Sequence, residues 1–314
     1  MRQEPPGQVI DVGGHRLHIR CEGSGAPAVV LDAALGGSSL SWSLVQPSLA
    51  RLTRTCAYDR AGFGWSDPGP KPRTVGRLVA ELRALLGGAG VAPPYILVGH
   101  SFGGLVMRLF AARHPGETAG VVLVDPAHPE DWVRPADKER RQIDRGVRLC
   151  QQGAMAARLG LARLVSRLVG AGALGLARGL VKIVSRGGLR PEDEAILAPI
   201  WKLPPEARRP LKRFWTEPKF FEALGSQIET ICESAAEVLE ASAGGYGDLP
   251  LVTISSTDPG EYRLRQQERL ARLSSSGRHL VASRSGHWIP LDEPRIVIET
   301  VAEMIEAVRG SRGS

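Results

Sequence analysis

A serine between two glycines is the strongest candidate nucleophile in this chain. It is Ser101, in the pentapeptide G-H-S-F-G at residues 99–103, which follows the apolar run 95–98 and precedes the apolar run 105–110. This pattern predicts a buried strand, a tight turn with the serine at its tip, and a helix. The glycines let the strand and the helix approach closely, while the strained turn exposes the hydroxyl. G-x-S-x-G occurs by chance in many chains, but this strand–turn–helix setting is the one that nucleophilic catalysis requires.

A histidine near the end of the chain is predicted to be the base. A serine hydroxyl attacks well only when a neighbouring base removes its proton. His287 follows the strand predicted at 279–282 and precedes the helix predicted at 294–308. It is therefore expected on a loop at the edge of the sheet where the strands end. His100, beside the serine, is instead expected to pack or to line the pocket.

The base needs a carboxylate that holds its tautomer and stabilises the imidazolium. Two aspartates follow predicted strands: Asp258 comes after the strand at 251–255, and Asp125 comes after the strand at 121–124. We favour Asp258, and the order Ser101, Asp258, His287 is the serine–acid–histidine order of one known fold. Asp125 is the alternative acid, and its other expected role is to cap the end of its strand.

Backbone N–H groups are expected to hold the oxyanion that forms during attack. One donor is the amide of Phe102, directly after the nucleophile. The other is expected from the glycine-bearing loop 32–38, after the strand predicted at 28–31. Glycine in that loop lets the backbone come close to a substrate. Ala34 or Leu35 is the candidate donor, and the sequence does not distinguish them.

Short apolar strands alternate with helices on both sides of a long helical stretch, which predicts an α/β fold with a mostly parallel sheet covered on both faces. Between about 130 and 245 the pattern is helical, with no convincing strand. The domains are therefore predicted as a first core part at 1–129, a helical cap or lid at 130–245, and a second core part at 246–314.

Two further segments resemble motifs of the α/β-hydrolase fold superfamily, of the kind with a serine nucleophile and a cap. Residues 58–67, Y-D-R-A-G-F-G-W-S-D, are similar to its D-x-x-G-x-G-x-S segment, and residues 286–294 resemble its histidine loop. The resemblance implies a central sheet flanked by helices, an acid at Asp258, and structural support rather than catalysis from Asp59 and Arg60. It covers about 10–127 and 246–308.

One departure from the superfamily concerns the loop after the third strand. The superfamily commonly has His-Gly there, whereas this chain has Asp32-Ala33. A backbone donor does not need that histidine, so the departure leaves the identity of the donor open.

Composition, charge and cysteine spacing limit the classes of partner and the cellular compartment that we expect for this protein. The formal net charge is +7 and the pI is about 9.6, but no basic run is interleaved with aromatic residues, so no nucleic-acid partner is expected. No cysteine or histidine cluster has metal-ligand spacing, so no metal and no cofactor are expected. The N-terminus has no apolar signal core, and a cytoplasmic location is predicted. Free thiols are therefore expected at all four cysteines, which are Cys21, Cys56, Cys150 and Cys232.

The helical stretch is expected to determine specificity. Arg158, Arg163 and Arg167 are predicted to share one helical face, which packs as a cap helix or, as the less favoured use, touches a membrane surface. Its aromatic residues are predicted to form the core of the cap, with one or two lining an apolar acyl pocket. They are Trp201, Phe214, Trp215, Phe220 and Phe221.

These expectations define a serine hydrolase that cleaves a small-molecule carboxylic ester with an apolar acyl group. The same groups would also suit an amidase or aminopeptidase, a thioesterase, a perhydrolase or a C–C bond hydrolase. The alternative outside catalysis is a small-molecule receptor that kept the fold. The oligomeric state is left undetermined by the sequence.

Overall fold

The computed structural model describes residues 4–185, 201–257 and 260–310. Within them, eight strands form one sheet. In chain order the strands are β1 (Gln8–Asp11), β2 (Arg16–Glu22), β3 (Ala28–Asp32), β4 (Thr55–Tyr58), β5 (Tyr95–His100), β6 (Thr118–Val124), β7 (Leu251–Ser256) and β8 (Gly277–Ala282). Their order in the sheet is β1-β2-β4-β3-β5-β6-β7-β8. The first two pairings are antiparallel and the others are parallel, so the carboxyl ends of β3 and β5 to β8 meet at one edge.

Helices surround this sheet. They are α1 (Gln46–Leu49), α2 (Val75–Gly88), α3 (Phe102–Arg113), α4 (Glu130–Val133), α5 (Asp137–Arg158), α6 (Leu161–Gly170), α7 (Leu174–Val184), α8 (Pro205–Phe214), α9 (Pro218–Glu229), α10 (Ile231–Ala241), α11 (Gly260–Ala271), α12 (Ile289–Asp292) and α13 (Pro294–Gly310). Two short 3₁₀ helices lie at Ser39–Trp42 and Pro115–Glu117.

The parallel strands are buried on both faces, because alternate residues pack into two different hydrophobic clusters. Leu97 and its neighbours on adjacent strands pack under α2, α3 and α10. Ile96 and Val98 pack on the opposite face, against α13 and the short helices near residue 45. This arrangement explains why the strand sequences are continuously apolar rather than alternating. The prediction of a mostly parallel α/β sheet flanked by helices is confirmed.

A helical insert lies between β6 and β7. The described part of residues 130–241 holds α4 to α10 and no strand. The domain limits at 129 and 245 stay predictions. The single basic helical face does not form: α5 ends at Arg158, and Gly160 adopts a left-handed conformation with φ of 79° before α6 begins. Arg158 is therefore on a different helix from Arg163 and Arg167, because the glycine breaks the helical periodicity.

The expectation of four free thiols is wrong for two of the cysteines. Cys21 on β2 and Cys56 on β4 form a disulfide. They are 35 residues apart in sequence, but the antiparallel register of the two strands places them directly opposite each other. Cys150 and Cys232 are free. Disulfides persist in oxidising compartments, so this pair does not favour a reducing compartment, and the cytoplasmic location stays a prediction.

Candidate active site

The turn between β5 and α3 holds Ser101 in a backbone conformation that serine rarely adopts. Its φ is 53° and its ψ is −117°. Three hydrogen bonds hold the turn: the Ser101 N–H donates to the Val124 carbonyl at 3.0 Å, and the Ser101 carbonyl accepts from the amides of Gly104 at 2.9 Å and Ala127 at 3.0 Å. Strain of this kind persists only when the surroundings impose it, and it is concentrated at functional sites. The predicted strand–turn–helix unit is therefore present, with the serine at its tip.

The two glycines of the pentapeptide are needed for close packing. A Cβ atom at Gly99 would lie 2.5 Å from the Gly103 carbonyl oxygen. A Cβ atom at Gly103 would lie 2.6 Å from the carbonyl oxygen of Asp32. The lack of a side chain at Gly99 lets the strand approach the helix. The lack of a side chain at Gly103 lets the helix approach the loop after β3. These glycines therefore bring the candidate oxyanion loop to the N-terminus of α3.

A histidine–aspartate pair lies at the same edge of the sheet. His287 is in the loop after β8, and its Nδ1 atom is 2.6 Å from Oδ2 of Asp125. The Asp125 side chain is buried and the His287 side chain is 42% exposed. This hydrogen bond places the proton on Nδ1 and leaves Nε2 to accept a proton, which is the tautomer that a general base needs.

The position of Asp125 is set by two neighbouring strands. It follows β6 with a φ of 39°, and its N–H donates to the Ile254 carbonyl on β7 at 2.7 Å. The Ser256 amide donates to its Oδ1 at 3.4 Å. Burial raises the pKa of Asp125, but the hydrogen bond and the charge of His287 outweigh it, so the pKa lies below the usual 3.8. Asp125 is therefore a carboxylate at neutral pH.

The position of the other candidate acid, predicted from the sequence, cannot be compared with that of Asp125. Asp258, which we favour from the sequence, lies outside the described residues. The structure thus brings Asp125 to His287, which the sequence offers as the second choice.

His100 joins the serine turn to the histidine loop. Its Nε2 donates to the His287 carbonyl oxygen at 2.7 Å. Burial, with a smaller contribution from the His287 charge, lowers the pKa of His100 to about 3, so the ring is neutral. Within the described residues, the Ser101 hydroxyl makes no hydrogen bond of its own to the His287 ring. From the sequence we predict that His100 packs or lines the pocket, and we do not predict its bond to the His287 carbonyl. The only sequence signal for this bond is that His100 is next to Ser101.

The loop after β3 is held from behind by a buried arginine. The Ala34 carbonyl accepts from the Gly37 amide at 2.9 Å and from Nη2 of Arg60 at 2.5 Å. The Arg60 guanidinium also lies 5.0 Å from the centroid of the Phe102 ring. It therefore contacts both segments that carry the candidate oxyanion donors. Leu35 follows Ala34 in the same turn and is partly buried.

Asp32 provides the counter-charge to this arginine. Its Oδ1 lies 3.7 Å from Nε of Arg60, and both side chains are almost fully buried. Burial raises the pKa of Asp32 above its usual 3.8, although the Arg60 charge acts in the opposite direction. Asp32, which stands where the superfamily commonly has histidine, is thus the ion-pair partner of Arg60.

Asp59 supports the backbone and does not contact His287. Its carboxylate accepts from the amides of Ser39 at 2.6 Å and Trp65 at 3.0 Å. It also lies 2.8 Å from Nδ1 of the buried His18. Burial raises the pKa of Asp59, but the contact with His18 and the amide bonds lower it below 3.8 overall. These contacts match the supporting role that the resemblance implies.

The insert packs against the candidate oxyanion loop through α9. A Cβ atom added at Gly36 would lie 3.6 Å from Cζ of Phe220 and 3.7 Å from Leu224. The Phe220 ring also packs edge-on against Phe63, with ring centroids 5.6 Å apart. Apolar side chains of the insert therefore lie next to the loop where an oxyanion is expected.

A cavity of about 550 Å³ lies beside the Asp125–His287 pair. Its lining includes Ser256, Thr257 and the loop 283–287, but not Ser101. It is therefore not assigned as the acyl pocket. In the described ranges, no group of three or more histidine, cysteine, aspartate or glutamate side chains could hold a metal ion. No helix among these residues is long and apolar enough to cross a bilayer.

Comparison with protein families and curated proteins identifies relatives over part of the chain. The family model described as alpha/beta hydrolase fold matches residues 27–160. Protein YqjL of Bacillus subtilis strain 168 is 37% identical over 113 residues, which cover 36% of this chain and 44% of that protein. An AB hydrolase superfamily protein of Gibberella zeae is 35% identical over 97 residues, which cover 31% of this chain and 30% of that protein. The chain spans less than half the length of the first curated relatives that it matches.

Solved structures match over nearly the whole chain. The haloalkane dehalogenase DatA from Agrobacterium tumefaciens C58 superposes with a TM-score of 0.69 and 15% identity, covering 96% of both chains. The enol-lactonase from Burkholderia xenovorans LB400 superposes with a TM-score of 0.59 and 19% identity, covering 95% of this chain and 100% of the other. At these identities the likeness shows a shared fold.

Proposed function

This chain has the α/β-hydrolase fold, and on that premise we propose that it is a serine hydrolase cleaving a carboxylic ester through an acyl-enzyme intermediate. One observation carries the proposal: a serine held at positive φ lies at the same sheet edge as a buried carboxylate bonded to Nδ1 of a histidine. The His100 bond to the His287 carbonyl connects these two parts of the site. Together these are the nucleophile, base and orienting acid of acyl transfer.

In the proposed reaction, Ser101 Oγ attacks the ester carbonyl carbon while Nε2 of His287 takes its proton. Asp125 holds the Nδ1 proton and stabilises the imidazolium. The amides of Phe102 and of Ala34 or Leu35 donate to the oxyanion. His287 then protonates the departing alkoxide and leaves an acyl-serine. Water attacks this ester with His287 again as base, which releases the acid and restores the serine hydroxyl.

The residue at the turn favours this reaction over those of some structural neighbours. Dehalogenation and epoxide opening through an alkyl-enzyme need a carboxylate nucleophile, whereas this chain has the hydroxyl of Ser101. A lactonase among the structural neighbours is named for hydrolysis of a cyclic ester, which is the same bond type. The apolar contact of Phe220 beside the loop supports an apolar acyl group. Amide, thioester and C–C bond cleavage stay alternatives on the same groups.

A fluorophosphonate probe tests the proposal directly. We expect covalent labelling of the folded wild type at Ser101, because the activated hydroxyl displaces fluoride from phosphorus. The measurement is intact mass followed by peptide mapping, with Ser101→Ala as the unlabelled control. A folded wild type that stays unlabelled would favour the receptor alternative. A series of p-nitrophenyl esters from acetate to palmitate would then define the acyl preference.

Arg60 is proposed as a positioning residue for the oxyanion donors. In Asp32→Asn/Arg60→Met we expect kcat to fall by about 10- to 100-fold with KM little changed, because the Ala34 carbonyl loses one of its two donors and the oxyanion donors shift. The double change avoids leaving Asp32 as an unpaired buried charge, which Arg60→Met alone would do. Steady-state kinetics and thermal melting are measured together.

A second buried pair away from the site is the matched control for Arg60. Arg73 Nη2 lies 2.5 Å from Glu81 Oε2, and Arg73→Met/Glu81→Gln should change stability without changing kcat. Wild-type kcat in the Asp32/Arg60 double variant would limit Arg60 to a structural role.

A further inference from the structure

The insert exposes large apolar side chains around α6. Leu159 is 69% exposed, Leu164 is 43% exposed and Leu176 is 68% exposed. Although α6 is rich in leucine and valine, it contributes no fully buried residue. It packs against both α5 and α7, so these leucines belong to one small helical unit. Exposed apolar side chains gathered on one part of a surface can mark an interaction site.

The same part of the chain is strongly cationic. Residues 145–185 contain seven arginines and lysines and no aspartate or glutamate. Arg163 and Arg167 lie on α6 and are exposed. The basic residues of this segment are Arg145, Arg148, Arg158, Arg163, Arg167, Arg178 and Lys182.

We propose that α6, with the exposed leucines beside it, docks on the surface of an anionic lipid bilayer. An interfacial helix combines exposed apolar side chains, which enter the boundary of headgroups and acyl chains, with arginines that bind lipid phosphates. Helix α6 carries both kinds of side chain, since Leu164 is an exposed apolar residue and Arg163 is an exposed arginine. Arg158 is paired with Glu222 at 2.5 Å, but the exposed Arg163 and Arg167 favour an anionic partner over a neutral apolar one. This inference does not depend on the proposed reaction, since binding alone is measured.

The test is co-sedimentation of the full chain with phosphatidylcholine vesicles and with mixed phosphatidylcholine–phosphatidylglycerol vesicles. We expect binding to the anionic vesicles only, and weaker binding at high salt. Arg163→Gln/Arg167→Gln is expected to weaken binding by about 10- to 30-fold. Leu159→Ser/Leu176→Ser is expected to weaken binding to the anionic vesicles at low salt and at high salt. All four side chains are on the surface, so the variants should keep the wild-type melting temperature.

Matched surface variants distinguish a local site from the general positive charge. Arg278→Gln/Arg295→Gln removes the same charge from exposed positions elsewhere, and Leu52→Ser removes an exposed leucine that is remote in sequence. These controls should bind like the wild type. A wild type that ignores anionic vesicles, or controls that lose binding as strongly as the α6 variants, would overturn the proposal. So would a wild-type oligomer that Leu159→Ser/Leu176→Ser converts to monomer, because a second copy would then cover these leucines.

Discussion

Replacing Ser101 by alanine is expected to lower ester turnover by roughly 10⁴-fold or more. The change removes the attacking oxygen and leaves only the oxyanion donors and substrate binding, which give a small residual rate. Turnover is measured with the best p-nitrophenyl ester of the series, using enzyme concentrations high enough to detect the residual rate.

The Ser101→Ala variant should fold like the wild type. Alanine keeps the Cβ atom at the same positive φ, and the hydrogen bonds that hold the turn all come from the backbone of residue 101. The melting temperature is therefore the control. A folded variant that keeps wild-type turnover would show that Ser101 is not the nucleophile.

Replacing Asp125 by asparagine is expected to lower kcat by about 10⁴-fold. An asparagine amide can donate to Nδ1 of His287, which favours the tautomer with its proton on Nε2, so the ring can no longer act as base. Asparagine is also among the residues that best tolerate positive φ, so the backbone of residue 125, at φ 39°, should be kept. Steady-state kinetics across pH measures the effect, and melting temperature controls for folding.

Asp258→Asn is the matched control for the choice of acid. If Asp125 is the partner of His287 during catalysis, Asp258→Asn should keep kcat near the wild-type value. The opposite result, with near-normal turnover in Asp125→Asn and loss in Asp258→Asn, would restore the acid that the sequence favours.

The choice of acid shows where local pattern is insufficient. Asp125 and Asp258 each follow a strand, and β6 and β7 are neighbours in the sheet. Both aspartates also lie between Ser101 and His287 in the chain, so chain order does not separate them, and the resemblance favoured the later residue. A hydrogen bond depends on distances of a few tenths of an ångström, and here only the folded chain shows Oδ2 of Asp125 at 2.6 Å from Nδ1 of His287.

Arg60 shows the same limit for the oxyanion loop. The resemblance implied a supporting role for the segment around Asp59, but it did not indicate which carbonyl Arg60 would bind. That carbonyl belongs to Ala34, 26 residues earlier. The contact arises because β3 and β4 are paired in parallel, so the loops at their carboxyl ends are adjacent.

By itself the sequence determined the fold class, the strand–turn–helix unit around Ser101 and the loop position of His287. These follow from patterns within a few residues: apolar runs, paired glycines and the alternation of strands with helices. Only the tertiary structure showed the contact between His287 and Asp125, the bond from Arg60, the disulfide between Cys21 and Cys56, and the break between α5 and α6. The first three are contacts between residues far apart in the chain, which depend on strand order and register. The break depends on the left-handed backbone of Gly160, a conformation that glycine allows but does not require.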